Sequence, residues 1–138
     1  MRTLVVTLAA AAAVALPASA AATPGTGTTG QNLTQFAALG TDVTVREITI
    51  APGGATGWHF HDGPIYAIVR HGILTHYGPD CAVDGVYGPG QIIAERSGPG
   101  YVHQGVNYGS EPLVLDVVYL IATGKPLAAD APAPRCAA

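Results

Sequence analysis

Turn-forming residues interrupt the middle of the sequence at short, even intervals. Glycine and proline, of which the chain has 18 and 11, separate short apolar or alternating stretches such as DVTVREITI (42–50), IYAIVRHG (65–72) and PLVLDVVYLIA (112–122). Strands at such spacing, joined by tight turns, are typical of a small all-β sandwich or barrel. The only helical candidate is the weak pattern QNLTQFAAL (31–39).

The length and charge of the chain limit its organisation and its partners. The 138 residues provide one core and therefore a single domain. We predict a β-barrel over residues 42–123, a flexible glycine-rich lead-in over 21–41 and a disordered alanine- and proline-rich tail over 124–138. The net charge of −3, with 11% charged residues, is not typical of a surface that binds nucleic acid or anionic lipid.

Residues 1–20 have the pattern of a secretory signal peptide. One basic residue precedes an apolar run (4–16), and Ala18-Ser19-Ala20 has the small-x-small form that signal peptidase accepts. An uncleaved membrane anchor is the alternative, but the apolar run is too short for a good one. We therefore predict a secreted or periplasmic protein that begins near Ala21 and has no membrane contact after cleavage.

Cys81 and Cys136 fit an oxidising compartment. If the two were bridged, the disulfide would tie the tail to a loop in the middle of the domain. The sequence leaves both a bridge and two free thiols open, because it does not show whether the two residues are close.

Two histidines in the stretch GWHFHDGP (57–64) are spaced for metal binding. On a strand, residues two apart point to the same face, so the imidazoles of His59 and His61 can converge on one ion. Taken alone, the pair is equally compatible with two polar residues of a core or surface strand. A metal site needs a third ligand, and His103 lies in a later strand that a barrel could bring across.

Two segments resemble the paired motifs of the cupin superfamily. The first motif is glycine, five residues, HxH, three or four residues, glutamate, six residues and glycine, and here it includes Gly53, His59, His61 and Gly72. The second ends with glycine, two residues, histidine, three residues and asparagine, and here it is Gly100, His103 and Asn107. The resemblance extends over about residues 42–122, which is most of the predicted domain.

The resemblance implies a small antiparallel β-barrel of cupin or jelly-roll type. By it, His59, His61 and His103 would bind a divalent metal in the mouth of the barrel. It also implies a homodimer, because related barrels often pair. The sequence departs from the family at one ligand: Ile65 occupies the position of the glutamate.

The missing carboxylate affects which ion the site can hold and how reactive that ion is. Three neutral imidazoles leave a divalent ion with its full charge and with open positions for water or substrate. Such ligands suit zinc, copper, nickel or ferrous iron, whereas calcium and magnesium prefer oxygen. Export favours zinc or copper slightly, because ferrous iron is less easily kept reduced outside the cytoplasm. The alternative is a decayed site that binds no metal.

Other polar residues are weaker candidates. Glu95 ends the stretch QIIAE and is predicted either to hold a ligand imidazole, to replace the missing ligand, to act as a general base, or to be an ordinary surface carboxylate. Asn107 is a second candidate for supporting the ligands. His76 is interpreted as a partly buried, hydrogen-bonded histidine, and Tyr119 as a packing residue.

Strand alternation places Ile65, Ala67 and Val69 on the inner face, where they would form an apolar pocket for a small ligand. Two functions remain open at this point. The first is a non-catalytic protein that binds a metal and a small organic ligand. The second is a metal-dependent enzyme of oxygenase or isomerase type that acts on a small organic molecule. Binding is favoured, because no convincing acid–base pair accompanies the histidines.

Overall fold

The computed structural model describes residues 23–137, and these form an almost entirely β structure. The strands in chain order are β1 (Thr26–Ala38), β2 (Thr41–Ala55), β3 (His59–Phe60), β4 (Ile65–His71), β5 (Leu74–Tyr77), β6 (Val83–Tyr87), β7 (Ile92–Glu95), β8 (Gln104–Val106), β9 (Leu113–Ala122) and β10 (Ala129–Asp130). A short 3-10 helix, Arg135–Ala137, ends the described chain. The predicted signal peptide lies outside these residues. Within residues 23–137 there is no helix long and apolar enough to cross a membrane.

All strand pairs in the described chain are antiparallel, and eight strands form a nearly closed barrel. The order of the strands is β6-β5-β8-β2-β9-β4-β7, and β1 pairs with the remaining edge of β2. The long strand β2 connects the two halves of the barrel, because it pairs with β9 through residues 41–50 and with β8 at Ala55. The prediction of a small antiparallel β-barrel is confirmed.

The core lies inside this barrel and follows from strict alternation along the central strands. In β9, every second residue from Leu113 to Ile121 is buried, and the residues between them are partly exposed. In β4, Ile65, Ala67 and Val69 are buried in the same way. Each fully buried aliphatic side chain stabilises the fold by about 1.5–3 kcal/mol. The inner faces of β4, β7 and β9 therefore form one continuous apolar wall.

The prediction of a flexible lead-in is wrong for Thr26–Ala38, and so is the helical candidate within it. This segment forms β1, a strand of 13 residues that pairs with β2 along most of its length. Nearly all its side chains are exposed, so the strand needs no buried apolar face. Its sequence therefore lacks the apolar–polar alternation from which a strand is normally predicted. Backbone hydrogen bonding to β2, rather than burial of side chains, holds β1 in place.

The C-terminal segment (127–137) is ordered, which corrects the prediction of a disordered tail. Strand β10 pairs with β3, and the backbone amide of Ala131 donates to the carbonyl of Trp58 at 2.8 Å. A disulfide joins Cys81 to Cys136 with a Cα–Cα distance of 5.9 Å. Cross-linking and backbone pairing thus fix a segment that its alanine and proline content alone would leave loose.

Candidate metal centre

His59, His61 and His103 meet inside the barrel. An isolated bridge places His59 opposite His103, with two backbone hydrogen bonds of 2.9 and 3.0 Å. His61 follows β3, two residues beyond His59, so its side chain lies on the same side. The three ring centroids are 4.5–5.2 Å apart. The structure therefore brings the three histidines of the sequence motifs into one cluster.

Backbone carbonyls orient all three rings in the same way. The Nδ1 atoms of His59, His61 and His103 lie 2.9, 2.6 and 2.9 Å from the carbonyl oxygens of Gly57, Leu127 and Tyr101. A carbonyl oxygen only accepts a hydrogen bond, so we assign the proton of each ring to Nδ1. The lone pair of each Nε2 is then free to face the interior of the cluster.

The carboxylate that is missing at position 65 comes from the neighbouring strand. Glu95, at the end of β7, pairs directly opposite Ile65 of β4, and cross-strand partners point to the same face. Its Oε2 lies 3.2 Å from the Nε2 atoms of both His61 and His103. Its side chain is only 14% exposed. Glu95 is therefore a member of the cluster itself, rather than a surface carboxylate at a strand end.

A fourth histidine borders the same cluster. His76, in β5, is buried, and its Nε2 lies 3.5 Å from Oε1 of Glu95. Its ring stacks on that of His103, with centroids 5.2 Å apart and an interplanar angle of 30°. Its Nδ1 lies 2.5 Å from Oδ1 of Asp84. The interpretation of His76 as a buried, hydrogen-bonded residue agrees with these contacts, but it did not place the ring beside the other histidines.

The barrel is similar to solved structures of cupin-domain proteins. One is a cupin domain from Bordetella pertussis, which matches with a TM-score of 0.58 and 23% identity over 70% of this chain and 95% of that chain. The chain has the cupin fold. At this level of identity the similarity defines the fold and leaves the activity open.

Cupin structures similar to this one include enzymes of different types. A sugar phosphate isomerase of the cupin superfamily from Silicibacter pomeroyi matches with a TM-score of 0.54 and 18% identity over 72% of this chain and 70% of that chain. A recombinant oxalate oxidase in complex with glycolate matches with a TM-score of 0.56 and 20% identity over 70% of this chain and 51% of that chain. No family model matches the sequence, and no curated protein matches it significantly.

The electrostatics of the site couple the carboxylate to the imidazoles. Burial alone would raise the pKa of Glu95, but the adjacent imidazoles of His103, His61 and His76, which can donate from Nε2 when that nitrogen is protonated, hold it well below its usual range. Burial, together with repulsion from His103 and His61 whenever those rings are protonated, lowers the pKa of His59 to about 4. Burial also opposes protonation of His76, yet hydrogen bonding to Glu95 and Asp84 raises its pKa above the ordinary value. At neutral pH the cluster therefore contains an ionised carboxylate and a neutral His59.

The donor atoms of the cluster fit a divalent transition metal. Within each of two groups, the ligand atoms lie within 4.8 Å of one another: His59, His61 and His103 form one, and His76, Glu95 and His103 form the other. The Nε2 atoms of His76 and His103 are buried without a hydrogen bond of acceptable geometry, although Glu95 is close to both. Buried polar atoms without partners are costly, and an ion would satisfy both of them. The chemistry of the group, imidazole nitrogen and one carboxylate, is that of zinc, copper, nickel or iron sites.

An apolar cavity of about 160 Å³ adjoins the cluster. His59, His61, His76 and Glu95 form its polar end, and most of the remaining wall is aliphatic: Ile48, Ile65, Ala67, Leu74, Ile93, Leu115 and Val117. Tyr119 also lines the cavity, and its ring meets that of His61 edge-on, with centroids 5.8 Å apart. Burial and the charge of Glu95 raise the pKa of Tyr119 to about 12, so its hydroxyl keeps its proton and can donate a hydrogen bond.

Two residues lie outside the predicted site: Asn107, predicted to support the ligands, and Val69, predicted to line the pocket. Asn107 is fully buried, but its side chain bonds the backbone of Ile50, Gly109 and Glu111, so it stabilises a turn rather than a ligand. Val69 belongs to the apolar core and not to the cavity lining, because it lies further along β4 from the histidines than Ile65 and Ala67. The latter two line the cavity as predicted from strand alternation.

Sequence reasoning missed the placement of His76, although a signal was present. In ILTHYG (73–78), Leu74 and His76 are two residues apart and share a face. Leu74 is buried in the core, so the same alternation turns His76 inward. Tyr119 has the same signal, because it continues the buried series of β9.

Proposed function

We propose that this cupin-fold protein binds one divalent transition metal through His59, His61, His103 and Glu95. One observation supports this above all others: the Nδ1 atoms of all three imidazoles lie within hydrogen-bond distance of backbone carbonyls, while the Nε2 atoms of His61 and His103 lie 3.2 Å from the Glu95 carboxylate. Lone pairs and a carboxylate repel one another in a buried site unless a cation lies among them. An ion would convert this arrangement from repulsive to attractive.

Ligation by Glu95 would lower the net charge at the bound ion. Three imidazoles alone would leave a divalent ion with its full charge, whereas a carboxylate ligand neutralises part of it. The ligand set of three nitrogens and one oxygen suits zinc, copper, nickel or ferrous iron and not calcium or magnesium. When bound, such an ion supplies a Lewis-acidic centre at the polar end of the cavity.

The second part of the proposal is a small, largely apolar organic ligand. The cavity wall is mostly aliphatic and includes three further polar residues, Thr28, Thr56 and Asp130. The Tyr119 hydroxyl and the ion would meet a polar group of the ligand at one end. A non-catalytic binding protein explains these features with the fewest assumptions. A metal-dependent enzyme of oxygenase or isomerase type is the second candidate, because residues of the cluster, including His59, His61 and Glu95, line the cavity.

Measured metal content tests the first part of this proposal. We expect about one transition metal per chain when the protein is purified from its native compartment and analysed by mass spectrometry. His103→Ala should abolish most of this content, because His103 is buried and common to both groups of donors. His71→Ala is the matched control, since His71 is exposed at the end of β4. Failure to take up zinc, copper, iron or nickel on reconstitution would contradict the proposal.

Turnover separates the two functional candidates. Binding alone predicts a tightly held ion and no consumption of oxygen or rearrangement of a bound ligand. An oxygenase predicts oxygen uptake that depends on a redox-active metal, and an isomerase predicts product without oxygen uptake. Mass spectrometry of organic molecules that co-purify with the native protein would identify the candidate ligand for both assays.

We further propose that the protein acts outside the cytoplasm. The signal-like pattern of residues 1–20 and the Cys81–Cys136 disulfide support this, because disulfides persist mainly in oxidising compartments. N-terminal sequencing of the native protein from an extracytoplasmic fraction should find a start near Ala21. A native protein that retains residues 1–20 in the cytoplasm would refute export.

A further inference from the structure

We propose that His76 is a fourth imidazole ligand of the ion and that the carboxylate of Asp84 positions it. This inference rests on the proposed metal function and deepens it. The cupin motifs place no ligand at this position, which lies beyond the glycine that ends the first motif.

Strand pairing sets the His76 ring beside the cluster. In the β5–β8 ladder His76 pairs with Gly105, which lies two residues after His103 and therefore shares its face. The side chains of His76 and His103 consequently lie next to each other on the inner surface, and their rings stack. Both Nε2 atoms are buried.

A β-bulge turns Asp84 towards His76. In the β5–β6 ladder His76 pairs with Gly85 and Tyr77 pairs with Val83, so Asp84 is the extra residue between the two pairs. Bulges re-aim a side chain that would otherwise point to the opposite face. Oδ1 of Asp84 therefore accepts a hydrogen bond from the Nδ1–H of His76, and the hydroxyl of Tyr101 donates to Oδ2 at 2.9 Å.

The hydrogen bond to Asp84 fixes which nitrogen of His76 can bind a metal. A carboxylate that accepts the Nδ1 proton leaves the lone pair on Nε2, which faces Glu95 and His103. Pairing a ligand imidazole with a carboxylate also makes the imidazole more basic and fixes its orientation.

The two groups of donors describe one ion and not two. They share His103, whose Nδ1 is occupied by the carbonyl of Tyr101, so this residue has a single nitrogen to offer. An ion bound by that nitrogen is surrounded by donors from both groups. The complete set is then four imidazoles and the carboxylate of Glu95. Five protein ligands suit ions that accept five or six ligands, and zinc can expand from four ligands to five.

The test is residue-specific NMR of the full mature chain with ¹⁵N-labelled histidine, recorded with and without Zn²⁺. Long-range ¹H–¹⁵N spectra distinguish a metal-bound Nε2 from a free one. We expect zinc to shift the Nε2 resonances of His59, His61, His76 and His103 and to leave that of the exposed His71 unchanged. Chelator competition then measures zinc affinity for His76→Ala and Asp84→Ala, with His71→Ala as the control.

Asp84→Ala should weaken zinc binding by about 10- to 100-fold, which is typical when the partner of a ligand imidazole is removed. His76→Ala should weaken it at least as much. Asp84→Asn should lose less, because its side-chain oxygen can still accept the Nδ1 proton. This milder variant also keeps the test valid if His76→Ala does not fold.

The outcomes distinguish this inference from the function on which it rests. If zinc binds and leaves the His76 Nε2 resonance unshifted, the inference is overturned while the proposed metal function stands. The same holds if His76→Ala and Asp84→Asn both bind zinc as tightly as the wild type. If wild-type protein takes up no zinc, copper, iron or nickel, the proposed function and this inference fail together.

Discussion

The disulfide between Cys81 and Cys136 should stabilise both the fold and the metal centre. It closes a loop with a sequence separation of 55, and loop-closure entropy for that length corresponds to about 4 kcal/mol. We expect the double variant Cys81→Ser/Cys136→Ser to lose about this much free energy of unfolding. The loss is a large fraction of the stability of a typical domain.

The same bond anchors backbone that orients the ligands. The C-terminal segment provides the Leu127 carbonyl that accepts from His61, and β10 pairs with the strand that carries His59. Loosening this segment should therefore weaken metal binding as well. Partners that orient ligand imidazoles typically contribute a factor of about 10–100 to metal affinity.

Urea unfolding followed by tryptophan fluorescence measures the first effect. Trp58 is the single tryptophan, is buried, and accepts a hydrogen bond from Ala131 of the C-terminal segment. The shift in midpoint multiplied by the slope of the transition gives the loss in free energy. Reducing agent should produce the same loss in the wild type and none in the double variant. A loss below about 1 kcal/mol would refute the loop-entropy argument.

Three further predictions concern the cluster. Glu95→Gln should weaken metal binding by at least about 10-fold, whereas Glu47→Gln, which alters an exposed carboxylate on β2, should leave affinity unchanged in chelator competition. The single variant Glu95→Ile should lose metal, and adding Ile65→Glu to it should restore the metal content, since the two positions are cross-strand partners on one face. A double variant that binds no more metal than Glu95→Ile would contradict this. In metal-free protein, the pKa of His59 is about 4 in the folded state and 6.5 in the unfolded state. As the pH falls, the unfolded protein therefore binds a proton at His59 first and is stabilised relative to the folded protein. The free energy of unfolding should therefore fall by about 3 kcal/mol between pH 6.5 and 4, and urea titrations of His59→Gln should show a flatter dependence.

The barrel could be predicted from the sequence because its central strands bury one face each. Leu113 to Ile121 alternate cleanly, and turn residues mark the ends of most strands. The same physics explains the failures. β1 buries almost nothing, so its sequence has no pattern, and the C-terminal segment is held by a disulfide and by pairing with β3, neither of which leaves a periodic signal.

The histidines and the carboxylate of the site differ in how far the sequence predicts them. His59 and His61 are related by local strand geometry, and His103 belongs to a second motif, so spacing alone could suggest a cluster. Glu95 is related to Ile65 only through the register of β4 against β7, which depends on strands distant in sequence. A shift of one residue in that register would turn Glu95 to the outer face.

The position of the carboxylate therefore matters less to the site than the face on which it lies. A side chain at 65 and a side chain at 95 occupy adjacent places on one inner surface, so either strand can provide the acid. Because the acid lies on β7, position 65 is aliphatic, and Ile65 lines the cavity beside the histidines. A glutamate at position 65 would make this part of the wall polar. With the acid on β7, the proposed ion would keep a charged ligand, and the apolar surface available to the proposed organic ligand would be larger.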